Sequence, residues 1–150
     1  MNTRDANYLN DPWFLSEGRI NGRKALVRVR ESLPVDVRAN THPHLLIVSW
    51  TFGPGPAYSM PDSTASEAMG EFEEQIVGAL EKNGLCALFA VVTSDDRRHW
   101  KFYCHDIPTV QAVLNESADL SQGLPIELEC ELDSNWAVYT NLMRDCGAPG

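Results

Sequence analysis

The chain has 150 residues, a formal charge of −9, 43% hydrophobic and 22% charged residues, and four tryptophans. A chain of this size buries roughly 70% of its unfolded surface and forms one core without staples, and its composition excludes the collagen-like, coiled-coil and disordered classes. The charge is uneven, with seven Lys/Arg against five Asp/Glu in residues 1–44 and five against sixteen in residues 45–150, a balance that opposes nucleic acid and favours basic partners.

Residues 1–11 read as a loose lead-in with no apolar signal-peptide core. No apolar run approaches the roughly 18 residues of a membrane span, so a soluble, cytoplasmic protein is expected. Cys86, Cys104 and Cys130 lie in strand-like runs without C-x-x-C spacing, and Cys146 lies in the tail. The first three read as small buried hydrophobes in a reducing compartment, and a disulfide framework is not expected.

Residues 12–31 read as a hairpin: an apolar start at Trp13 to Leu15, turn chemistry at Gly18 and Asn21-Gly22, and alternation from Ala25 to Arg30. Pro34 and Pro43 mark a connection. Leu45 to Phe52 is apolar on both faces, which suits a central strand ending at the turn Gly53 to Pro56. Thr64 and Glu67 have capping-box spacing. Met69, Phe72, Ile76, Val77 and Leu80 then recur as a helical stripe, with Glu71, Glu73, Glu74 and Glu81 mostly off it, until Asn83-Gly84 stops the helix.

Leu85 to Thr93 follows as an apolar strand, Ser94 to Arg97 as a turn, and then a returning strand in which Trp100, Phe102 and Cys104 alternate with His99, Lys101 and Tyr103. Asp106 is placed to cap a second helix, with Pro108 in its first turn and Ile107, Val110, Val113 and Leu114 as its stripe. Pro125 to Leu132 alternates again: Ile126, Leu128, Cys130 and Leu132 are expected to face in, Glu127, Glu129 and Glu131 out. Asp133 caps a last helix from Ser134 to about Met143, presenting Trp136, Tyr139 and Met143.

Residues 45–132 therefore read β-α-β-β-α-β. The expected class is α+β, a ferredoxin-like antiparallel sheet with an N-terminal β-hairpin and a C-terminal short helix (133–143), all within a single domain spanning 1–150. Right-handed crossovers would put both long helices on one face and make the strands at 45–52 and 98–104 the inner pair.

Met60-Pro61 before the long helix, the aromatic strand Trp100 to Tyr103 followed by Asp106, and Asp133-Ser-Asn-Trp136-Ala-Val-Tyr139 resemble the family known as domain of unknown function 695. The resemblance covers most of the chain, from Trp13 to about Leu142. It implies a ferredoxin-like fold similar to that of the regulator of ribonuclease E activity B, and no established chemistry. The regulator is implied to act by binding a protein partner.

No catalytic, cofactor or metal set emerges from the residues. His42-Pro-His44 and Cys104-His105-Asp106 lack the second paired element of a zinc site and read as solvent-exposed loop histidines beside a core cysteine. No nucleophile elbow is present, and the prolines of Gly53 to Pro56 remove the amides that a phosphate cradle needs. The strand Arg98 to His105 lacks the glycines of an RNA recognition motif.

The expected function is a non-enzymatic module that binds a basic protein partner, such as a nuclease or toxin, through Glu127, Glu129, Glu131, His99, Lys101, Tyr103, Trp136 and Tyr139. For the glutamates the alternative is a solvated strand face, paired with Arg28 and Arg30 if the hairpin lies beside it. For Trp136 and Tyr139 it is a return onto the bare sheet face to complete the core. A small enzyme or ligand-binding domain with a pocket near His99, Tyr103 and Trp136, and a homodimer through exposed sheet edges, are the other readings.

Overall fold

The computed structural model describes residues 11–20, 22–53, 60–118 and 125–145. Six strands and three helices follow one another along these residues: β1 (Trp13–Ile20), β2 (Arg23–Arg30), β3 (His44–Thr51), α1 (Ser63–Glu81), β4 (Cys86–Ser94), β5 (Arg97–Cys104), α2 (Ile107–Ala118), β6 (Ile126–Leu132) and α3 (Ala137–Asp145). All pairings are antiparallel, in the order β1-β2-β4-β5-β3-β6. Among the described residues, no helix is long and apolar enough to cross a membrane.

Local chemistry explains most boundaries. In the first hairpin Ile20 opposes Arg23, and Gly22 takes the left-handed conformation at φ 77 that a two-residue turn requires. The β4–β5 turn does the same with Asp95 and Asp96, at φ 53 and 65, acidic residues that tolerate this region better than most. Helix α1 is capped by Asp62, whose carboxylate accepts from the Ala65 amide, and not by the Thr64–Glu67 box, because Asp62 lies one residue before the helix begins. Gly84 stops the connection after α1 at φ 70, with a short 3-10 turn over Lys82–Gly84 intervening. Asp106 accepts from the Thr109 amide at the start of α2, as its position suggested.

Strand alternation sorts the side chains onto two faces. Leu46, Val48, Leu88, Trp100 and Phe102 point to α1 and α2, where they meet Met69, Phe72, Ile76, Val77, Leu80, Val110 and Leu114 in the main core. A register shift between Leu88 and Ala90 leaves Phe89 as an extra residue in β4, a bulge of the kind that turns an additional side chain out of the ladder. Phe89 and Ala90 both join Leu45 and Tyr103 on the reverse face, under Trp136, Val138, Tyr139 and Leu142.

Three expectations are corrected. Glu73 is buried, because its carboxylate accepts from both the Trp100 indole at 2.9 Å and Arg28 at 2.7 Å. The β6 residues Ile126, Leu128, Cys130 and Leu132 lie on the helix side, yet only Ile126 packs against the main core; Cys130 is exposed, and Leu128 is 42% and Leu132 67% exposed, since β6 is an edge strand of the described sheet and the cover given by α1 and α2 stops near its start. Helix α3 starts at Ala137 rather than Ser134. Asp133 still caps it by accepting from the Ala137 and Val138 amides, but the chain first turns through Trp136 at φ 55.

Candidate functional site

The pairing register places the expected site residues in two columns on the reverse face. Ser49, Ile47 and Leu45 of β3 stand opposite Glu127, Glu129 and Glu131 of β6 on one side and opposite His99, Lys101 and Tyr103 of β5 on the other. With strands spaced about 4.8 Å apart, each glutamate column member is roughly 10 Å from its β5 counterpart, within reach of long side chains.

The glutamates stay open to solvent. Glu127 meets Arg97 at 3.6 Å while its side chain remains 71% exposed, and Glu129 and Glu131 are exposed along the whole strand. Arg28 and Arg30 do not neutralise them. The hairpin joins the sheet at β4, at the far side from β6, and both arginines lie on the helix face, where Arg28 pairs with Glu73 and Arg30 with Asp11 and Glu81.

Between the columns, His99 Nδ1 lies 2.7 Å from the Ser49 hydroxyl. Burial, with Lys101 and Arg97 beside it, holds the imidazole below its ordinary 6.5 despite Glu129 and Glu127, so it is neutral at pH 7. Burial likewise lowers the Lys101 ammonium, against the pull of Glu131.

Tyr103, Trp136 and Tyr139 are engaged with one another. The Tyr103 ring is sandwiched between Phe89 at 4.4 Å and Trp136 at 4.8 Å, both nearly parallel to it, and Tyr139 meets Phe89 edge-on at 5.4 Å. The Tyr103 hydroxyl donates to Asp133 at 2.7 Å and accepts from the Tyr139 amide. The Trp136 indole donates to the His42 carbonyl at 2.9 Å, and the Tyr139 hydroxyl to the Arg30 carbonyl at 2.6 Å.

Burial pushes the Tyr103 phenol above its ordinary range, with the Asp133 hydrogen bond adding to it, and pushes Tyr139 up to about 12. These aromatics bind α3 to the sheet, and stacking at 4.8 Å leaves no slot for a ligand between Tyr103 and Trp136. His99 lies four residues along the same strand from Tyr103, roughly 13 Å, so the three residues of the suggested pocket do not converge.

Asp133 ties this arrangement to pH. Burial raises its carboxyl, but the hydrogen bonds from Tyr103 and the Val138 and Ala137 amides outweigh that and hold it below the ordinary 3.8. A depressed folded-state pKa contributes stability that is present above the unfolded value and lost as pH falls through the folded one. Acidification below 3.8 is therefore expected to loosen α3 before the main core, seen as a shift in Trp136 fluorescence in a variant whose other tryptophans are phenylalanine. Asp133→Asn should remove that acid step.

The histidines that suggested a metal have other occupations. His42 is buried rather than solvent-exposed: its Nε2 lies 2.6 Å from the Gly84 carbonyl, to which it must donate, and its Nδ1 lies 2.7 Å from the Thr41 hydroxyl. His105 Nδ1 donates to the Thr41 carbonyl. Among the described residues, no three His, Cys, Asp or Glu side chains form a group that could hold a metal ion.

Sequence reasoning missed the buried Arg30. Its guanidinium donates to Asp11, to Glu81 and to the Leu88 carbonyl, joining the first hairpin to α1 and β4. Burial raises the Glu81 carboxyl, and Arg30 opposes that rise. The available signal was an arginine in phase with Arg28 and opposite Trp13 on the paired strand.

The model of a family of unknown function, DUF695, matches residues 11–143. The chain belongs to that family. The match takes in the aromatic strand β5, the Asp133–Tyr139 segment and the β6 glutamates of this DUF695 chain. No curated protein and no solved structure matches it.

Proposed function

We propose that this DUF695 chain is a non-enzymatic, acidic protein-binding module that recognises a basic protein, such as a nuclease or toxin, through the open part of its reverse face: Glu127, Glu129 and Glu131, with His99 and Lys101 behind them. The observation that carries this reading is where the arginines go. Arg28 and Arg30 are committed to Glu73, Glu81 and Asp11, so among the described residues the glutamate row keeps its exposure, with Arg97 3.6 Å from Glu127 and the half-buried Lys101 drawn to Glu131. Carboxylates that stay this exposed steer a basic partner and select against an acidic one.

Tyr103, Trp136 and Tyr139 enter this reading as the support that holds α3, not as the contact surface. Taking β3-α1-β4-β5-α2-β6 as a ferredoxin-like body, extended at β4 by the hairpin, supports the likeness to the regulator of ribonuclease E activity B, and with it a role in binding rather than catalysis. The thiols Cys86, Cys104 and Cys130 are free, which suits a cytoplasmic setting.

The test is affinity isolation from native cytoplasm at low salt, comparing the parent chain with Glu127→Gln/Glu129→Gln/Glu131→Gln. A stoichiometric basic protein retained by the parent, and reduced about tenfold or more with the triple variant, is the expected outcome. Retention of no such protein, or equal retention by both, overturns the proposal.

A further inference from the structure

Strand β6 pairs with β3 alone among the described residues. The hydrogen bonds at its two ends fix which of its amides are used. Thr51 donates to the Pro125 carbonyl and Asp133 to the Pro43 carbonyl, with a constant register between them. Antiparallel pairs alternate between hydrogen-bonded and non-hydrogen-bonded, so Glu127, Glu129 and Glu131 direct N–H and C=O toward β3. Leu128, Cys130 and Leu132 direct theirs outward, along the open edge.

That edge runs seven residues and is exposed over six of them. An edge of this kind is a template for another strand. Its two faces differ in chemistry: three carboxylates on one, and Leu128, Cys130 and Leu132, all exposed, on the other.

We infer that β6 accepts an extended segment of a partner protein as an added strand, and that the segment alternates Lys/Arg with aliphatic residues. Main-chain bonds to Leu128, Cys130 and Leu132 hold the segment, its cations lie over the glutamates, and its aliphatic side chains extend the half-covered apolar face beside Leu128 and Leu132. This is strand addition, in which backbone bonds give affinity and alternate side chains give selection.

Charge complementarity picks this occupant over a second copy of the chain. Antiparallel pairing of two β6 strands in one continuous sheet keeps their faces aligned and sets carboxylate rows side by side, a like-charge arrangement that destabilises cross-strand pairs. The inference rests on the acidic-module reading and specifies how that module holds its partner.

The experiment uses the full chain and two acetylated, amidated seven-residue peptides of one composition: the alternating Lys-Val-Arg-Val-Lys-Val-Arg and a blocked arrangement with the four cations together. Amide exchange and chemical-shift titration are followed at low salt. With the alternating peptide, exchange at Leu128, Cys130 and Leu132 should slow by about tenfold or more while the Glu127, Glu129 and Glu131 amides, already bonded to β3, change little.

The blocked peptide should bind at least about tenfold more weakly, having the charge but not the alternation. Leu128→Pro removes an outward donor that β3 does not use and should abolish the protection with an unchanged thermal midpoint, since edge strands tolerate proline where the N–H faces solvent.

If both peptides bind equally, depend on the glutamates, and leave the outward amides unprotected, strand addition is overturned while the acidic-module reading survives. If neither binds, and the triple glutamine variant also fails to change partner retention, both fall. Protection of the same amides that rises with protein concentration and needs no peptide would make a second copy the occupant and overturn the inference.

Discussion

Replacing Arg30 with methionine is expected to lower stability by about 3–5 kcal/mol, the range for removing one member of a buried, hydrogen-bonded ion pair. The guanidinium is 2% exposed and is held by carboxylates of Asp11 and Glu81 and by the Leu88 carbonyl, so its removal leaves Glu81 charged in a site that burial already makes unfavourable for a carboxylate. The cost lies mainly in that orphaned charge rather than in the lost attraction. Glu81→Gln in the same chain should therefore recover part of the loss, because an amide oxygen can still accept from the Leu88 amide, which Glu81 now satisfies at 2.8 Å.

The sign of the pH effect follows from the same site. Glu81 has a raised folded-state pKa, so its contribution favours the native state most below the ordinary 4.5 and is lost as pH rises through the folded value. Without Arg30 the rise is larger. Urea midpoints of Arg30→Met should be relatively closer to the parent near pH 5 than near pH 8, and the Glu81→Gln background should remove that difference. Equal midpoints for parent and Arg30→Met would show that the network contributes nothing net.

Tyr103→Ala is the second large expectation, about 3–5 kcal/mol for truncating a fully buried aromatic. Three losses coincide. Phe89 and Trp136 each lose a stacked neighbour, Asp133 loses a donor, and the Tyr139 amide loses its acceptor.

Trp136 stands at φ 55, a conformation that is strained for a bulky side chain and persists only where the surroundings over-determine it. With Tyr103 gone Trp136 keeps its bond to the His42 carbonyl but loses its stacked ring, so amide exchange across α3 should accelerate more than exchange in α1. Tyr103→Phe retains the stack and loses the hydroxyl, for which about 1–3 kcal/mol is expected. If the two substitutions prove equally mild, α3 is not held by this ring.

The same geometry explains how far the chain could be read without coordinates. Short-range signals carry the elements: Gly84 as a helix stop, Asp106 and Asp133 as caps, Gly22 as the left-handed residue of the first hairpin, and the alternation that puts Trp100 and Phe102 against α1 and α2. Each depends on residues within one turn or one strand pair. Helical periodicity sets Glu73 off the apolar stripe because it describes only which way a side chain points, whereas its burial depends on Trp100 and Arg28, which come from other elements. The capping-box signature at Thr64 was outcompeted by Asp62 for a similarly local reason, a better-placed acceptor one residue before the helix.

The candidate site divides along the same line. Alternation alone determined that Glu127, Glu129 and Glu131 share a face, because the side-chain period of a strand is two, and composition alone determined the acidic charge. Which cations would meet those carboxylates could not be determined, since ion pairing depends on strand order, and strand order is set by long-range packing. Only the tertiary structure decided that β2 joins β4 rather than β6, sending Arg28 and Arg30 to the helices and leaving the glutamates open. It alone decided, too, that Tyr103, Trp136 and Tyr139 close on each other across the reverse face, where the Phe89 bulge and the Asp133 cap give α3 a surface to bury against.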